Sequence, residues 1–345
     1  MATRVAINGM GRTGRQFFRA CLQDPDYGRL YEIVGINDLA EAKTIAYFVK
    51  YDSVHGTLSK SVSHGDDYVE VDGKKYSTFT IDQPDKLPWK ELGVDVVAEC
   101  TGHFTQRKDS EGHLRAGAGR VVISAPSNDA DVTVVPGVNM GAYDHRNHRI
   151  VSAASCTTNC LAPMAKVLLE NFGIRRGFMT TVHAYTNDQR VLDLMHKDLR
   201  RSRAASLSII PTTTGAALAI GSVLPQLAGK MHGIALRVPV PDGSLVDLVV
   251  ELEKSVTKEA INDAYRRASE NRLKGILTYT EDPIVSADIV GNPSSCIIDG
   301  QETTVIGGTG EFVKVLGWYD NEWGYSNRLL EVVKYVTAND REKSG

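Results

Sequence analysis

Residues 4–15 read RVAINGMGRTGR. A run of apolar residues, Arg4–Asn8, has strand character. Three glycines follow at the spacing Gly9-x-Gly11-x-x-Gly14, and a helical pattern opens across Arg15–Gln23. Strand, glycine turn and helix in that order are the context a dinucleotide fingerprint requires. Glycines permit the tight turn and let backbone amides approach a pyrophosphate at a helix N-terminus. The plainer reading is a glycine-rich turn that binds nothing. Asp38 weighs against it, because it ends a second strand, Glu32–Asn37. A carboxylate there accepts hydrogen bonds from both ribose hydroxyls and repels a 2′-phosphate, which favours NAD over NADP.

Working outward, strand-like runs recur at Val94–Cys100, Arg120–Ala125 and Val132–Gly137, with a helical stretch at Ala40–Lys50. Their near-continuous β-branched character suits strands covered on both faces. Alternation of this kind predicts an α/β fold, a Rossmann-type doubly wound parallel sheet. After Cys156 the pattern changes. A helix is expected over roughly Asn159–Asn171, with Gly173 placed to stop it. Longer strand segments follow at Phe178–Tyr185, Gly233–Val240 and Ser244–Glu253. They predict a second, α+β domain with a mostly antiparallel sheet. Ser326–Ala338 reads as a helix, and the sequence leaves open which domain it joins.

The 345 residues exceed one ordinary core, so two domains are expected. A net charge of −3 gives no global pull toward nucleic acid or an anionic membrane. No apolar run is long enough to span a bilayer. The opening MATRVAINGMG lacks the apolar core of an export leader. Five cysteines, odd in number and sparse, do not make a disulfide framework, and a reducing cytoplasmic compartment is expected.

Cys156 and Cys160 lie four apart in VSAASCTTNCLAPM, residues 151–164. A structural zinc site wants four ligands, and no second pair stands nearby; His145 and His148, in DHRNHR, read as a polar surface loop, so no metal is expected. A redox pair would prefer Cys-x-x-Cys. Cys156 at the mouth of a helix has free amides and the helix dipole to stabilise a thiolate, which suits a nucleophile. Cys160, inside the helix beside Leu161 and Met164, reads as a small buried residue. His183, at the end of a strand, is a candidate base or a satisfied core histidine.

Together these blocks resemble phosphorylating glyceraldehyde-3-phosphate dehydrogenase. SAASCTTNCLAP, TVHAYTNDQR, RAASLSIIPTTTGAA and WYDNEWGYSNR carry the resemblance, and INGMGRTGR, YDSVHG and ECTGHFTQR extend it through the N-terminal half. It implies an NAD-binding domain over 1–155 and a catalytic domain over 156–321, with a C-terminal helix in about 322–345. It implies Cys156 as nucleophile and His183 as base. Glyceraldehyde 3-phosphate would be oxidised through a hemithioacetal and a thioester, which inorganic phosphate releases as an acyl phosphate. The substrate phosphate would sit on Thr186, Asp188 and Arg237. The attacking phosphate would sit on Ser155, Thr157, Thr214 and Gly215, with Arg201 close by. For the cofactor, Arg12 and Thr13 would meet the pyrophosphate, chiefly through backbone. Thr101, Gly102 and Phe104 would line the adenosine pocket with Ser124 nearby. Asn321 would hold the nicotinamide carboxamide and Tyr325 would pack near the ring, although Tyr325 alone reads as a core aromatic. The resemblance also implies a homotetramer working in glycolysis or gluconeogenesis, with no membrane and no nucleic acid as primary partner; the basic run His196–Arg203 reads as a solvated face.

Several positions depart from the family's common pattern. Met10 and Thr13 replace Phe and Ile in the glycine loop. Met195 replaces a frequent proline, so NAD specificity rests on Asp38. Leu218 replaces a lysine, removing a positive charge near the anion region. RVPVPDGS, residues 237–244, replaces RVPTPNVS, with Asp242–Gly243 as a tight turn. The competing readings are erythrose-4-phosphate dehydrogenase, an arsenate-specialised enzyme, semialdehyde dehydrogenase, and a nucleotide-sensing or RNA-binding protein without catalysis. HAYTND and TTTG favour the phosphorylating enzyme, and intact Cys156 and His183 argue against lost catalysis.

Overall fold

The computed structural model describes residues 2–342, with side chains through Asn339; Met1 and the tail residues 343–345 lie outside the described residues. The chain divides into two compact units. One comprises residues 2–134, 140–154 and the chain from Ser326 onward; the other comprises 135–139 and 155–325.

The first unit runs β1 (Thr3–Asn8), α1 (Arg12–Gln23), β2 (Tyr31–Asn37), α2 (Ala42–Lys50), β3 (Val62–His64), β4 (Tyr68–Val71), β5 (Lys74–Phe79), β6 (Val96–Glu99), α3 (Arg107–Arg115), β7 (Arg120–Ile123), β8 (Val132–Thr133) and β9 (Ile150–Ser152). Among the described residues its sheet has the order β3-β4-β5-β2-β1-β6-β7-β9-β8. From β5 to β8 every pairing is parallel, while β3 and β4 add an antiparallel edge. Val5, Ala6, Ile7, Val96, Val97 and Val121 are fully buried, as strands covered on both faces require. The order reverses about β1, and the crevice at the C-terminal ends of β1, β2 and β6 is where such sheets take ligands. The edge hairpin β4–β5 turns at Asp72 and Gly73, with φ of 48° and 81°. The strand expected over Val132–Gly137 stops at Thr133: Val134 still donates to the Ser152 carbonyl at 2.9 Å, and Pro136 has no N–H to extend the ladder.

The second unit runs α4 (Cys156–Phe172), β10 (Ile174–Ala184), β11 (Ile210–Thr213), α5 (Ala216–Val223), β12 (Met231–Val238), β13 (Ser244–Thr257), α6 (Lys258–Glu270), β14 (Leu277–Thr280), β15 (Cys296–Val305) and β16 (Thr309–Tyr319). Its strand order is β11-β12-β10-β13-β16-β15-β14, antiparallel except at β10–β12 and β14–β15. Val246, Leu248, Val250 and Leu252 of β13 are fully buried, and α4 packs on this strand through its own apolar residues, among them Leu161 and Leu168. Each such side chain contributes roughly 1.5–3 kcal/mol by leaving water. The other face of the sheet is open: Phe178 and Phe312 are 69% and 49% exposed.

α4 begins at Cys156, three residues earlier than the sequence predicts. The Ser155 side chain caps it by accepting the Thr158 N–H at 3.0 Å, and Gly173, at φ 72°, ends it. The final helix, α7 (Trp323–Glu342), is longer than the predicted Ser326–Ala338, and from Ser326 onward it belongs to the first unit. There Lys334 bridges Asp24 at 2.9 Å and Asp26 at 2.6 Å.

Candidate active site

In the first unit the glycine loop has separate steric reasons at two positions. Gly9 has φ 93°, and a Cβ there would lie 2.8 Å from the Thr101 nitrogen. A Cβ on Gly14 would lie 1.9 Å from the Gly9 oxygen, so the helix could not approach the turn. Gly11, by contrast, faces open space, and no side chain caps α1. That leaves the helix N-terminus available to an anion.

Asp38 stands beside this loop. Its carboxylate accepts the Met10 N–H at 2.6 Å and the Ala40 N–H at 2.9 Å. Each oxygen keeps capacity for a further donor. A cleft of about 310 Å³ is lined by Gly9, Gly11, Asp38, Thr101 and Phe104, among others. Five of the residues expected at the cofactor therefore meet in one place. Arg12, Thr13, Gly14, Gly102 and Ser124 are not among its lining residues. The Arg12 side chain is committed to Asp52, at 2.5 and 3.1 Å, which suits a contact made through backbone. Ser124 follows β7 and donates its N–H to the Glu99 carbonyl at 2.9 Å.

Sequence reasoning missed the network beneath this cleft. Glu99, 1% exposed at the end of β6, accepts from Asn8 Nδ2 at 2.6 Å and from the Thr101 N–H at 2.8 Å. Trp89 donates to Nδ1 of the buried His113 at 2.9 Å, so the His113 proton sits on Nε2, 3.0 Å from Glu99. A buried carboxylate without partners would be costly. Here the partners fix Asn8 and Thr101 at the crevice. An acid closing an apolar strand, in VVAEC, was the available signal.

In the second unit Cys156 Sγ lies 3.4 Å from His183 Nε2. Cys156 is the first residue of α4, and His183 comes near the end of β10, only 4% exposed. On the other edge of the imidazole, Arg237 Nη1 lies 2.6 Å from Nδ1, and the Ala184 carbonyl lies 2.7 Å from it. Arginine can only donate and a carbonyl can only accept, so the two neighbours of Nδ1 favour opposite tautomers of the ring. Burial, then the Arg237 charge, push the His183 pKa down to about 3. Burial raises the Cys156 thiol above its ordinary value, against the opposing pull of Arg237 and of Thr157, which hydrogen-bonds toward the sulfur. The helix-end thiolate expected from the sequence is thus opposed by desolvation, which favours a neutral thiol beside a neutral imidazole.

The anion candidates divide into groups. Arg237 keeps a buried Nε with no hydrogen-bond partner among the described residues. Asp188 is paired with Arg201 and lies 3.4 Å from His196 Nε2. Burial would raise its pKa, but Arg201 and His196 outweigh that and hold it low. Arg201 Nε also donates to Thr212 at 2.9 Å. The structure therefore joins two residues that the resemblance assigns to different phosphates. The Thr157 hydroxyl meets the buried Tyr319 hydroxyl at 3.0 Å, and Ser155 is used as a cap. The Thr186 N–H donates to Gln189 at 3.2 Å. Thr214 accepts the Ala216 N–H at 3.2 Å, while Gly215 opens α5 with space where a Cβ would be. Leu218 lines a groove with Phe178 and Phe312 on the open face of the sheet.

Asn321 follows β16. Asp320 pins its loop by accepting the N–H groups of Gly291, Glu322 and Trp323 at 2.7, 2.8 and 2.6 Å. Burial, then repulsion from Asp320 and Glu322, push the nearby Asp242 carboxyl up to about 9. Tyr325 is buried.

Comparison with known proteins agrees with both halves of this description. Residues 3–107 match the family model "Glyceraldehyde 3-phosphate dehydrogenase, NAD binding domain", and residues 155–321 match "Glyceraldehyde 3-phosphate dehydrogenase, C-terminal domain". The chain is 57% identical to "Glyceraldehyde-3-phosphate dehydrogenase 2" of Streptomyces avermitilis, over 97% of this chain and 99% of that protein. It is 55% identical to "Glyceraldehyde-3-phosphate dehydrogenase" of Geobacillus stearothermophilus, over 98% and 99%. Against "Glyceraldehyde-3-phosphate dehydrogenase" of Mycobacterium avium the identity is 53%, over 97% and 99%. Residues 3–107 are the family's NAD-binding domain, the chain is an NAD-dependent oxidoreductase, and it belongs to the glyceraldehyde-3-phosphate dehydrogenase family.

Proposed function

We propose that the protein oxidises glyceraldehyde 3-phosphate with NAD and inorganic phosphate, giving 1,3-bisphosphoglycerate. The observation that carries this reading is the row Cys156–His183–Arg237, with 3.4 Å and 2.6 Å between successive groups. A thiol, a base and a cation with an unused donor stand in line, as an aldehyde bearing a phosphate requires.

The substrate phosphate engages Arg237. With the guanidinium engaged by the phosphate, His183 is held as the tautomer whose Nδ1–H donates to the Ala184 carbonyl, 2.7 Å away, and the Nε2 lone pair faces Cys156. Nε2 is then the base. The Cys156 S–H bond breaks, its proton passes to Nε2, and the sulfur attacks the aldehyde carbon. His183 returns the proton to the new alkoxide, closing the hemithioacetal. NAD held by the glycine loop and Asp38 would supply the acceptor for the hydride that leaves that carbon. His183 takes the hydroxyl proton as the thioester forms. Phosphate then attacks the thioester carbon, the C–S bond breaks, and Cys156 leaves as a thiolate. Thr157 and the α4 N-terminus favour that thiolate.

The cofactor site takes NAD through Gly9, Gly11, Arg12, Thr13, Gly14 and Asp38, with Thr101, Gly102, Phe104 and Ser124 at the adenosine. Asn321 and Tyr325 serve the nicotinamide. Thr186 and Asp188 support the substrate phosphate, Asp188 by orienting Arg201; Ser155, Thr157, Thr214 and Gly215 serve the attacking phosphate. We assign the cofactor role to 1–155 and the chemistry to 156–321. The open sheet face with Phe178 and Phe312 supports a homotetramer, in which copies would cover it. No helix among the described residues is long and apolar enough to cross a membrane. A cytoplasmic place in glycolysis or gluconeogenesis follows from this reading.

The test is reduced-cofactor formation from glyceraldehyde 3-phosphate with and without phosphate, for the natural protein and Cys156→Ser. Turnover that needs phosphate and disappears in the variant supports the reading. Turnover indifferent to phosphate overturns it.

A further inference from the structure

We propose that Ser244 is a positioning residue that fixes the amide orientation of Asn321, so that Asn321 presents only donors to the nicotinamide carboxamide. This rests on the NAD-dependent reading above and deepens it.

Ser244 opens β13 and is 1% exposed. The backbone N–H of Ala184 reaches its Oγ at 3.1 Å. A backbone N–H can only donate, so Oγ accepts there. The hydroxyl has a single proton, and the Asn321 side chain lies 2.6 Å away. That proton fixes the near end of the amide as Oδ1. An amide nitrogen in that place would face Oγ with a donor while the hydroxyl proton had no partner. Asn321 Nδ2 therefore points away from Ser244, and it has no partner among the described residues.

The backbone of Asn321 is held separately, because Asp320 on one side and its three accepted N–H groups anchor the loop. Only rotation of the amide remains to be set, and Ser244 sets it. The same hydroxyl takes its polarity from the residue after His183, so the base strand and the amide share one short chain of hydrogen bonds. A group that offers only N–H donors recognises the carbonyl oxygen of a carboxamide, not its NH2. With the amide free to flip, either end would serve.

The test uses NAD and 3-acetylpyridine adenine dinucleotide, which keeps the carbonyl oxygen but has no NH2. Dissociation constants for both are measured by titration calorimetry on the natural protein, Ser244→Ala and Ser244→Thr. The natural protein holds the analogue through the same donor. In Ser244→Ala the flipped amide meets NAD's NH2 but sets acceptor against acceptor in the analogue. The ratio of the analogue's constant to that of NAD is expected to rise roughly two-fold, because about half of the amide orientations then oppose the analogue while NAD can use either. Ser244→Thr, which keeps the hydroxyl, is expected to hold the natural ratio. An unchanged ratio in Ser244→Ala overturns the proposal, whether both ligands weaken equally or neither does. Because these are binding constants, they separate from the functional reading, which fails instead if the natural protein gives no phosphate-dependent turnover.

Discussion

Arg237 Nη1 stands 2.6 Å from His183 Nδ1, on the opposite edge of the imidazole from Cys156 Sγ at 3.4 Å from Nε2. One guanidinium thus disfavours a charged His183 and also carries the unpartnered Nε that suits an anion. Replacing it with leucine should affect both. Arg237→Leu is expected to raise KM for the sugar phosphate roughly 10- to 100-fold, the scale of lost charge-assisted hydrogen bonds. The Arg237 charge also lowers the Cys156 thiol pKa. The pH at which iodoacetamide alkylates Cys156 should therefore move upward in the variant. An inflection that stays in place or falls would contradict this account of the pair.

His183 should make the protein acid-sensitive. Its pKa falls from 6.5 in the unfolded chain to about 3 when folded, chiefly through burial. Between those values the unfolded chain binds the extra proton. The stabilisation is therefore complete above 6.5 and is lost as pH falls, by up to about 1.4 kcal/mol per pH unit. Urea midpoints at neutral and mildly acidic pH should drop more for the natural protein than for His183→Asn. Equal drops would rule this out.

Asp242 should act in the opposite direction. Its pKa is raised on folding, so the folded chain holds a proton that the unfolded chain releases above its own carboxyl range. The stabilisation is present at low pH and is lost as pH rises toward about 9. Asp242→Asn keeps the shape of the turn without the charge. Melting temperatures from mildly acidic to alkaline pH should decline less in the variant, and a parallel decline would count against a raised Asp242 carboxyl.

Asp38 should set the choice of dinucleotide. Asp38→Ser removes the charge that repels a 2′-phosphate, and the hydroxyl can still accept the Met10 N–H. The ratio of kcat/KM for NADP to that for NAD should rise roughly 10-fold or more, the effect of removing one close like charge. A ratio that does not move would place the discrimination elsewhere in the cleft.

Much of the fold was legible because its signals are local. RVAINGMGRTGR carries strand, turn and helix within a dozen residues, and the structure adds only the steric reasons at Gly9 and Gly14. The β4–β5 hairpin was missed although Asp72–Gly73 is a turn signal, because short, half-exposed strands have little apolar pattern. At the site, Cys156 was placed correctly at a helix mouth, but its electrostatics were not legible. They depend on how deeply His183 and Arg237 are buried, and on a parallel pairing of β10 with β12 that sets His183 opposite Arg237. The Asp188–Arg201 pair was hidden for the same reason: only folding brings the two side chains together.

Cys156 is held to carry the oxidised substrate as a thioester, and the mass of the peptide that contains it is the decisive measurement. The protein is mixed with glyceraldehyde 3-phosphate and NAD without phosphate, then quenched in acid and digested. The account predicts one acyl group on the peptide containing Cys156, formed together with one equivalent of reduced cofactor and removed on adding phosphate. An acyl group on another residue, or a stoichiometric burst that persists in Cys156→Ser, would contradict it.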